Sequence, residues 1–453
     1  MAFAFGALLA PVSLGTETTH DTRFGAPSLT SVTWGGVNYT RVSITGAPSG
    51  GNAGEPRLPA GSAWILIPYG EEVTGIQVTG DPTLVGTGYV VEPNGKPFAI
   101  SRGPTEENTP QRDMTIYGSS DPFPAARYLS LGTQGFRGYD ILVLRLAPCK
   151  YIPTSGALYY YPTLHITVQS ASGSGRNALL RGLAEDRTAA ANRVDNSETI
   201  TSYPTGGARD EGDYDLLILT TEAYESAFAP LATAHNNQNP ATLTQVHTLD
   251  PGVTWQNVRS YIRDEYNGHH IKFALIGAGD NALPAPKLTA RADETVQMPS
   301  DFYLGCLDGE YDPANPYDSS LDLLAEVYIG RAAADSISEV DNFVNKTIAY
   351  TSGQHNHLER VLQAAEWIGW GGDAEYGGYF MDQLIDGWGD TYGISSSTFD
   401  IDRLYDAAGP PEYRWPMQAL ITRMNAGVHW INHLGHARAD FGMRVSSRAY
   451  PTT

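Results

Sequence analysis

From Tyr214 onward, short apolar runs alternate with amphipathic segments, and that rhythm admits few folds. YDLLILT (214–220) has no polar face, as a strand buried on both sides requires. Glu222 to Asn236 follows at helical spacing, LTQVHTL (243–249) reads as a second strand, VTWQNVRSYIRDEY (253–266) as an amphipathic helix, and IKFALIGA (271–278) as a third strand. Strands joined by helix-length segments predict a parallel sheet with helices on both faces. The run 289–312 interrupts as a hairpin-like excursion. VYIGR (327–331), SISEVDNFVNKTIAYT (336–351), VLQAAEWIGW (361–370), YFMDQLIDGW (379–388), TFDIDRLYD (398–406), WPMQALITRMN (415–425) and GVHWINHLGH (427–436) then restore the alternation.

Residues ~25–172 have another character. SVTW and VNYTRVSI flank Gly35-Gly36, and SAWILIPYG, VTGIQVTG, YDILVLRLAP and LYYYPTLHITVQ recur between turn signals, which predicts an all-β sandwich. Residues 173–213 are small, polar and Arg-dotted. They read as a long connector with one short helix at Ala178–Ala191, and with Arg176, Arg181, Arg187, Arg193 and Arg209 exposed to proteolysis. The domain organisation expected is therefore 1–172, a linker at 173–213, and an α/β domain at 214–453.

Charge separates the two parts. Residues 1–175 carry net −2 and residues 176–453 net −19, within a total of −21. Nucleic acid is disfavoured as a partner because phosphate binding needs a basic stripe, whereas cations or basic peptides suit the second part. No apolar run is long enough for a transmembrane helix. Residues 2–14 read either as the apolar region of a signal peptide, lacking a preceding Lys or Arg, or as an edge strand or mobile N-terminus. Two cysteines exclude a disulfide framework and a CxxC zinc site; a Cys149–Cys306 bridge would have to join distant segments.

Open parallel sheets place their sites beyond strand carboxyl ends, which selects Gly277–Asp280, Gly369–Glu375 and Asn432–Arg438. No GxGxxG, GxxxxGK[ST] or GxSxG motif follows any strand. Two histidines, His433 and His436, sit where the last strand ends. Alternation puts them on opposite faces if the strand persists, so they are poor joint metal ligands. A histidine beside Gly435, free in the crevice, is suited to general base catalysis, with neighbouring amides facing an oxyanion. Asp373 or Glu375 would orient His436 or line a pocket for a basic side chain. Asp308-x-Glu310-x-Asp312, with Asp318 and Asp322, spaces oxygen ligands in a Gly-containing loop suited to a structural calcium ion.

YDLLIL (214–219), VRSYIRDEY (258–266), FALIGAGDNALP (273–284), PSDFYLGCLDGEY (299–311), AEVYIGR (325–331) and NHLGHARADFG (432–442) resemble, in order, the gingipain-like cysteine peptidases, family C25 of the caspase-type clan. YLSLGTQGFRGYDILVLRLAP and GALYYYPTLHITV resemble that family's N-terminal pro-domain. The resemblance implies a caspase-like α/β peptidase domain behind a β-sandwich pro-domain, extracellular or at the cell surface, acting on peptide or protein substrates. It makes His436 the base and Gly435–Ala437 the oxyanion segment, with Ala437 where the family has Gly. Family members bind structural calcium; catalysis needs no cofactor. The family's nucleophilic Cys follows a further strand. The resemblance therefore implies that 214–453 is C-terminally incomplete, and that the strand and Cys come from a C-terminal fragment. The implied function is a zymogen-like cysteine endopeptidase, with preference for basic residues in some members. The alternatives are a catalytically inactive surface or scaffold protein and a calcium-dependent adhesin built on the sandwich.

Overall fold

The computed structural model describes residues 15–96, 109–174, 177–250, 252–290, 293–309, 322–353, 355–369, 375–387, 393–407, 414–438 and 441–446. In the first part, strands Thr16–Arg23, Thr163–Ser172 and Glu71–Thr79 form an antiparallel sheet. Gly61–Leu66, Tyr139–Leu146 and Tyr128–Phe136 form another. Alternation aims Leu164, Ile166 and Val168 of the first sheet at Ala63, Ile65, Leu142 and Leu144 of the second, and the two faces share one core.

The opposite face of the second sheet is covered too. Ile141 and Val143 pack with Phe136 and Tyr139 against Ala190, Ile200 and Tyr203 of the connector. Burial on both faces explains why YDILVLRL reads as an almost unbroken apolar run, in which Arg145 alone is exposed. The connector also satisfies the edge of strand Gly61–Leu66. Asp195 accepts from the Trp64 amide at 2.8 Å, and Asn196 accepts from the Leu66 amide at 2.7 Å and donates to its carbonyl at 2.9 Å.

The connector is thus a packed element, with a helix at Ala184–Ala191 and a 3₁₀ turn at Ser197–Ser202. This corrects the expectation of exposed arginines. Arg181 has a side chain only 3% exposed, and Arg187, Arg193 and Arg209 are half-buried. Each has work for its guanidinium: Arg187 donates to the Tyr203 carbonyl, Arg193 to the Tyr328 hydroxyl, and Arg209 to Asp215. Arg176 and residues 2–14 lie outside the described residues.

Three chain segments meet at Asp186, which is fully buried. Its carboxylate pairs at 2.8 Å with Arg137, from a β-hairpin tip, and with Arg181 of the connector. Arg181 also donates to the Ile271 carbonyl at 2.9 Å and lies 4.0 Å over the Tyr266 ring, which ties both to the α/β part. The hairpin tip is the two-residue turn Arg137-Gly138, with φ 52° and 80°, a type I′ turn. The connector crosses this tip so closely that a Cβ on Gly138 would lie 2.2 Å from the Leu180 amide.

The α/β part holds two parallel sheets. Thr244–Thr248, Leu216–Thr220, Phe273–Ile276 and Tyr328–Arg331 form the first. Helix Trp255–His269, opened by a Thr254/Asn257 capping box, places Val258, Ile262 and Tyr266 against Leu217 and Leu219. Phe228 and Leu231 of helix Glu225–Asn236, with Val340 and Val344 of helix Ile337–Ser352, cover Ile218 on the other face. Lys287–Ala290 and Asp293–Pro299 form the expected hairpin excursion. The second sheet has the order Asp400–Tyr405, Arg360–Ala365, Trp430–Leu434. Among the described residues no helix is long and apolar enough to cross a membrane.

Asp186→Asn leaves two buried guanidinium groups without a carboxylate. The expected loss is about 3–5 kcal/mol, read as a lowered midpoint of urea unfolding.

Candidate functional site

The second sheet delivers the site. Strand Arg360–Ala365 ends at Glu366, whose amide still donates to the Leu434 carbonyl at 2.9 Å. This last ladder bond fixes where the Glu366 carboxylate stands, with a side chain only 6% exposed. His433 Nε2 lies 3.0 Å from its Oε1, and His436 Nδ1 lies 3.8 Å from its Oε2. The His436 side chain is 60% exposed and that of His433 17%. One carboxylate therefore faces one open and one sheltered imidazole.

Both histidines face Glu366, in contrast to the opposite faces that alternation predicts for a persisting strand. The strand stops at Leu434, and the bend at Gly435 resets the direction of the next side chain. Gly435 itself has no room for more: a Cβ there would lie 2.6 Å from Glu366 Cδ and 2.5 Å from His433 Nε2. Ala437 pairs with Gly442, and the left-handed residues nearby are Met443 and Arg444 rather than Ala437. Ala in place of Gly thus costs no backbone strain at 437.

Asp373 lies outside the described residues. Glu375 is placed differently from expectation: its carboxylate accepts from the Trp367 indole, and its carbonyl accepts from Ile368 and Gly369. Glu366 is a buried carboxylate that the sequence reading did not single out. Its signal was a lone carboxylate inside an otherwise apolar strand run, AAEWIG, where burial of a charge demands a partner. A second buried acid, Asp406, supports the site from below. It accepts from the Trp367 and Trp415 amides at 2.7 and 2.9 Å and pairs with Arg444, which stacks 4.3 Å over Trp415. Arg444 Nε reaches to 3.8 Å from Glu366.

Neither cysteine resembles a nucleophile. Both are fully buried and unbridged. Burial pushes the Cys149 thiol up to about 12, and burial beside Asp322, Glu326 and Asp308 pushes Cys306 higher still.

Of the expected calcium ligands, Glu310, Asp312 and Asp318 lie outside the described residues. Asp308 and Asp322 gather with Cys306, their ligand atoms within 4.8 Å of one another. This group meets the first part of the chain. Asp322 accepts from the Gly135 amide at 2.6 Å and from Leu324 at 2.8 Å, and a Cβ on Gly135 would lie 2.1 Å from Asp308. Glu326 accepts from the Leu307 amide at 2.7 Å, while Arg137 donates to its carbonyl at 3.0 Å. Both Asp322 oxygens are thus occupied by amides, and a thiol is a poor calcium ligand; the placed residues do not compose an oxygen cage. Burial pushes Asp322 up to about 6, and burial next to Asp308 pushes Glu326 up to about 8. Acids with raised pKa values favour the joined state most at low pH, and that advantage fades as pH climbs through those values. Glu326→Gln, which mimics the protonated acid, is expected to flatten the decline of thermal stability between about pH 5 and 8. An unchanged slope would contradict this.

The comparisons with known proteins follow this division. The family model Propeptide_C25 matches residues 18–201, and the model of peptidase family C25 matches residues 209–443. Lys-gingipain W83 of Porphyromonas gingivalis is 21% identical over 448 residues, covering 91% of this chain and 23% of that protein. Another Lys-gingipain of that species is 22% identical over 443 residues with the same coverages. The chain therefore spans about a quarter of the length of these curated relatives. Among solved structures, the complex of Porphyromonas gingivalis RgpB pro- and mature domains covers 42% of this chain and 96% of that chain, at 17% identity and TM-score 0.34. The Arg-specific cysteine proteinase gingipain R covers 52% and 50%, at 19% identity and TM-score 0.35. With both models lying end to end along the chain, and the peptidase model spanning half of it, the protein belongs to peptidase family C25 and is a gingipain-like member that carries the family's pro-domain.

Proposed function

We propose that the chain is the zymogen-like form of an extracellular or cell-surface cysteine endopeptidase, with a caspase-like peptidase domain covered by its sandwich pro-domain. The pairing of Glu366 with an exposed His436 at adjacent strand ends carries this reading. Nδ1 of His436 faces the carboxylate, which leaves Nε2 for a thiol. Nε2 takes the thiol proton, the thiolate attacks the peptide carbonyl, and amides of the Gly435–Ala437 segment stabilise the tetrahedral oxyanion. The imidazolium then protonates the leaving amine, and water releases the acyl group with His436 again as base. Glu366 stays ionised and stabilises the imidazolium.

Because Cys149 and Cys306 are buried, the thiol belongs to a further strand outside these 453 residues, added beside Trp430–Leu434. The net −19 of residues 176–453 and the Lys-gingipain relatives favour cleavage after basic residues. Residues 204–208 and 210–212 are exposed around Arg209, so Arg209 is the preferred processing position.

A peptidyl acyloxymethyl ketone with Lys or Arg at P1, applied to the native protein, tests the reading. Labelling is expected, and His436→Ala is expected to abolish it. Glu366→Gln is expected to slow it by on the order of 10²–10⁴. Label found on Cys149 or Cys306, or labelling untouched in His436→Ala, would refute the proposal. Processing is read separately by intact mass: a new N-terminus after Arg209 is expected, and one that persists unchanged in Arg209→Ala excludes that position.

A further inference from the structure

Glu366 has one negative charge and two imidazoles to serve. The nearer is the one the base mechanism does not use: His433 Nε2 at 3.0 Å, against 3.8 Å for His436. His433 is also the more sheltered, at 17% exposure against 60%. Among the described residues, two further charged groups near them, Arg444 and Glu375, have other partners. Arg444 approaches Glu366 Oε2 at 3.8 Å from the C-terminal hairpin, but its guanidinium is bound to Asp406 at the end of strand Asp400–Tyr405. Glu375 is held by the Trp367 indole. Helix Gly377–Asp382 brings only backbone close, where the Gly377 amide donates to the Glu366 carbonyl at 2.8 Å. Asn432, beside His433, is neutral and bonded to Gln363.

We propose that His433 is a positioning residue of the site: it holds Glu366 Oε1 so that Oε2 faces His436, and its protonation sets how much of the carboxylate's charge reaches His436. The functional meaning rests on His436 as the base; the coupling between the three groups does not. With one carboxylate for two imidazoles, the first proton is taken up favourably and the second is opposed by the first. His433 at 3.0 Å lies nearer the carboxylate than His436 at 3.8 Å. A charge on His433 therefore opposes a charge on His436 across the shared Glu366 carboxylate.

The experiment is an NMR titration of the ¹⁵N-histidine-labelled full chain, with assignments made by single His replacements. In His433→Gln, which keeps an N–H donor and loses the charge, the His436 midpoint is expected to rise by about half a pH unit or more. In Glu366→Gln both histidines are expected to titrate at lower pH. His433→Asn serves as a second neutral variant, and the unchanged signals of His165 and His270 certify the fold. A His436 midpoint equal in wild type and both His433 variants overturns the proposal, as does a His433 midpoint indifferent to Glu366→Gln. If the midpoints shift as expected while His436→Ala still labels with the ketone, the peptidase reading falls and the coupling stands.

Discussion

The structure depends on a carboxylate that never sees water. Asp186 lies on the connector helix and holds two arginines, one from the pro-domain hairpin and one from the connector. Alone, a buried carboxylate is costly, and so is each buried guanidinium. Together, with Arg181 also capping the Ile271 carbonyl and stacking on Tyr266, every charge has a partner. The ion cluster thereby fixes the relative placement of pro-domain and peptidase domain. A hydrophobic contact of similar area would tolerate sliding; a cluster with directed hydrogen bonds does not.

Much of this architecture was legible in the sequence. YDLLILT and IKFALIGA read as strands, and the helix-length segments between them predicted the parallel arrangement found. The division into two sheets was not legible, because periodicity reports what an element buries and not which strand it borders. The histidine proposed as base was reached through Gly435-His436, and the acid to orient it was sought in the loop at Asp373 and Glu375. Glu366 was read as strand interior because its neighbours are apolar. Only the structure shows that the strand ends at Ala365, and that the bend at Gly435 turns His436 toward Glu366 beside His433. The connector arginines failed similarly. A polar, Arg-dotted run reads as solvated unless the opposing carboxylates, Asp186 and Asp215, are known to lie beside it.

The acidity acquires a local meaning. Part of the −21 sits where the peptidase domain meets the pro-domain, with Glu326 buried and Asp322 half-buried there. Their oxygens accept amides from Gly135, Leu324 and Leu307, the side-chain equivalent of capping chain ends at a seam. The same seam packs Cys306 away from solvent.

The Arg137-Gly138 turn sets how the two domains come together. Gly138 and the twist of the strands suit a type I′ turn, but Arg137 takes a positive φ of 52° that a residue with a Cβ seldom adopts. Its guanidinium is held by Asp186 of the connector and by the Glu326 carbonyl of the peptidase domain. Tip and partners are therefore shaped together: the backbone that lets Arg137 reach Asp186 and Glu326 is one that those two partners stabilise.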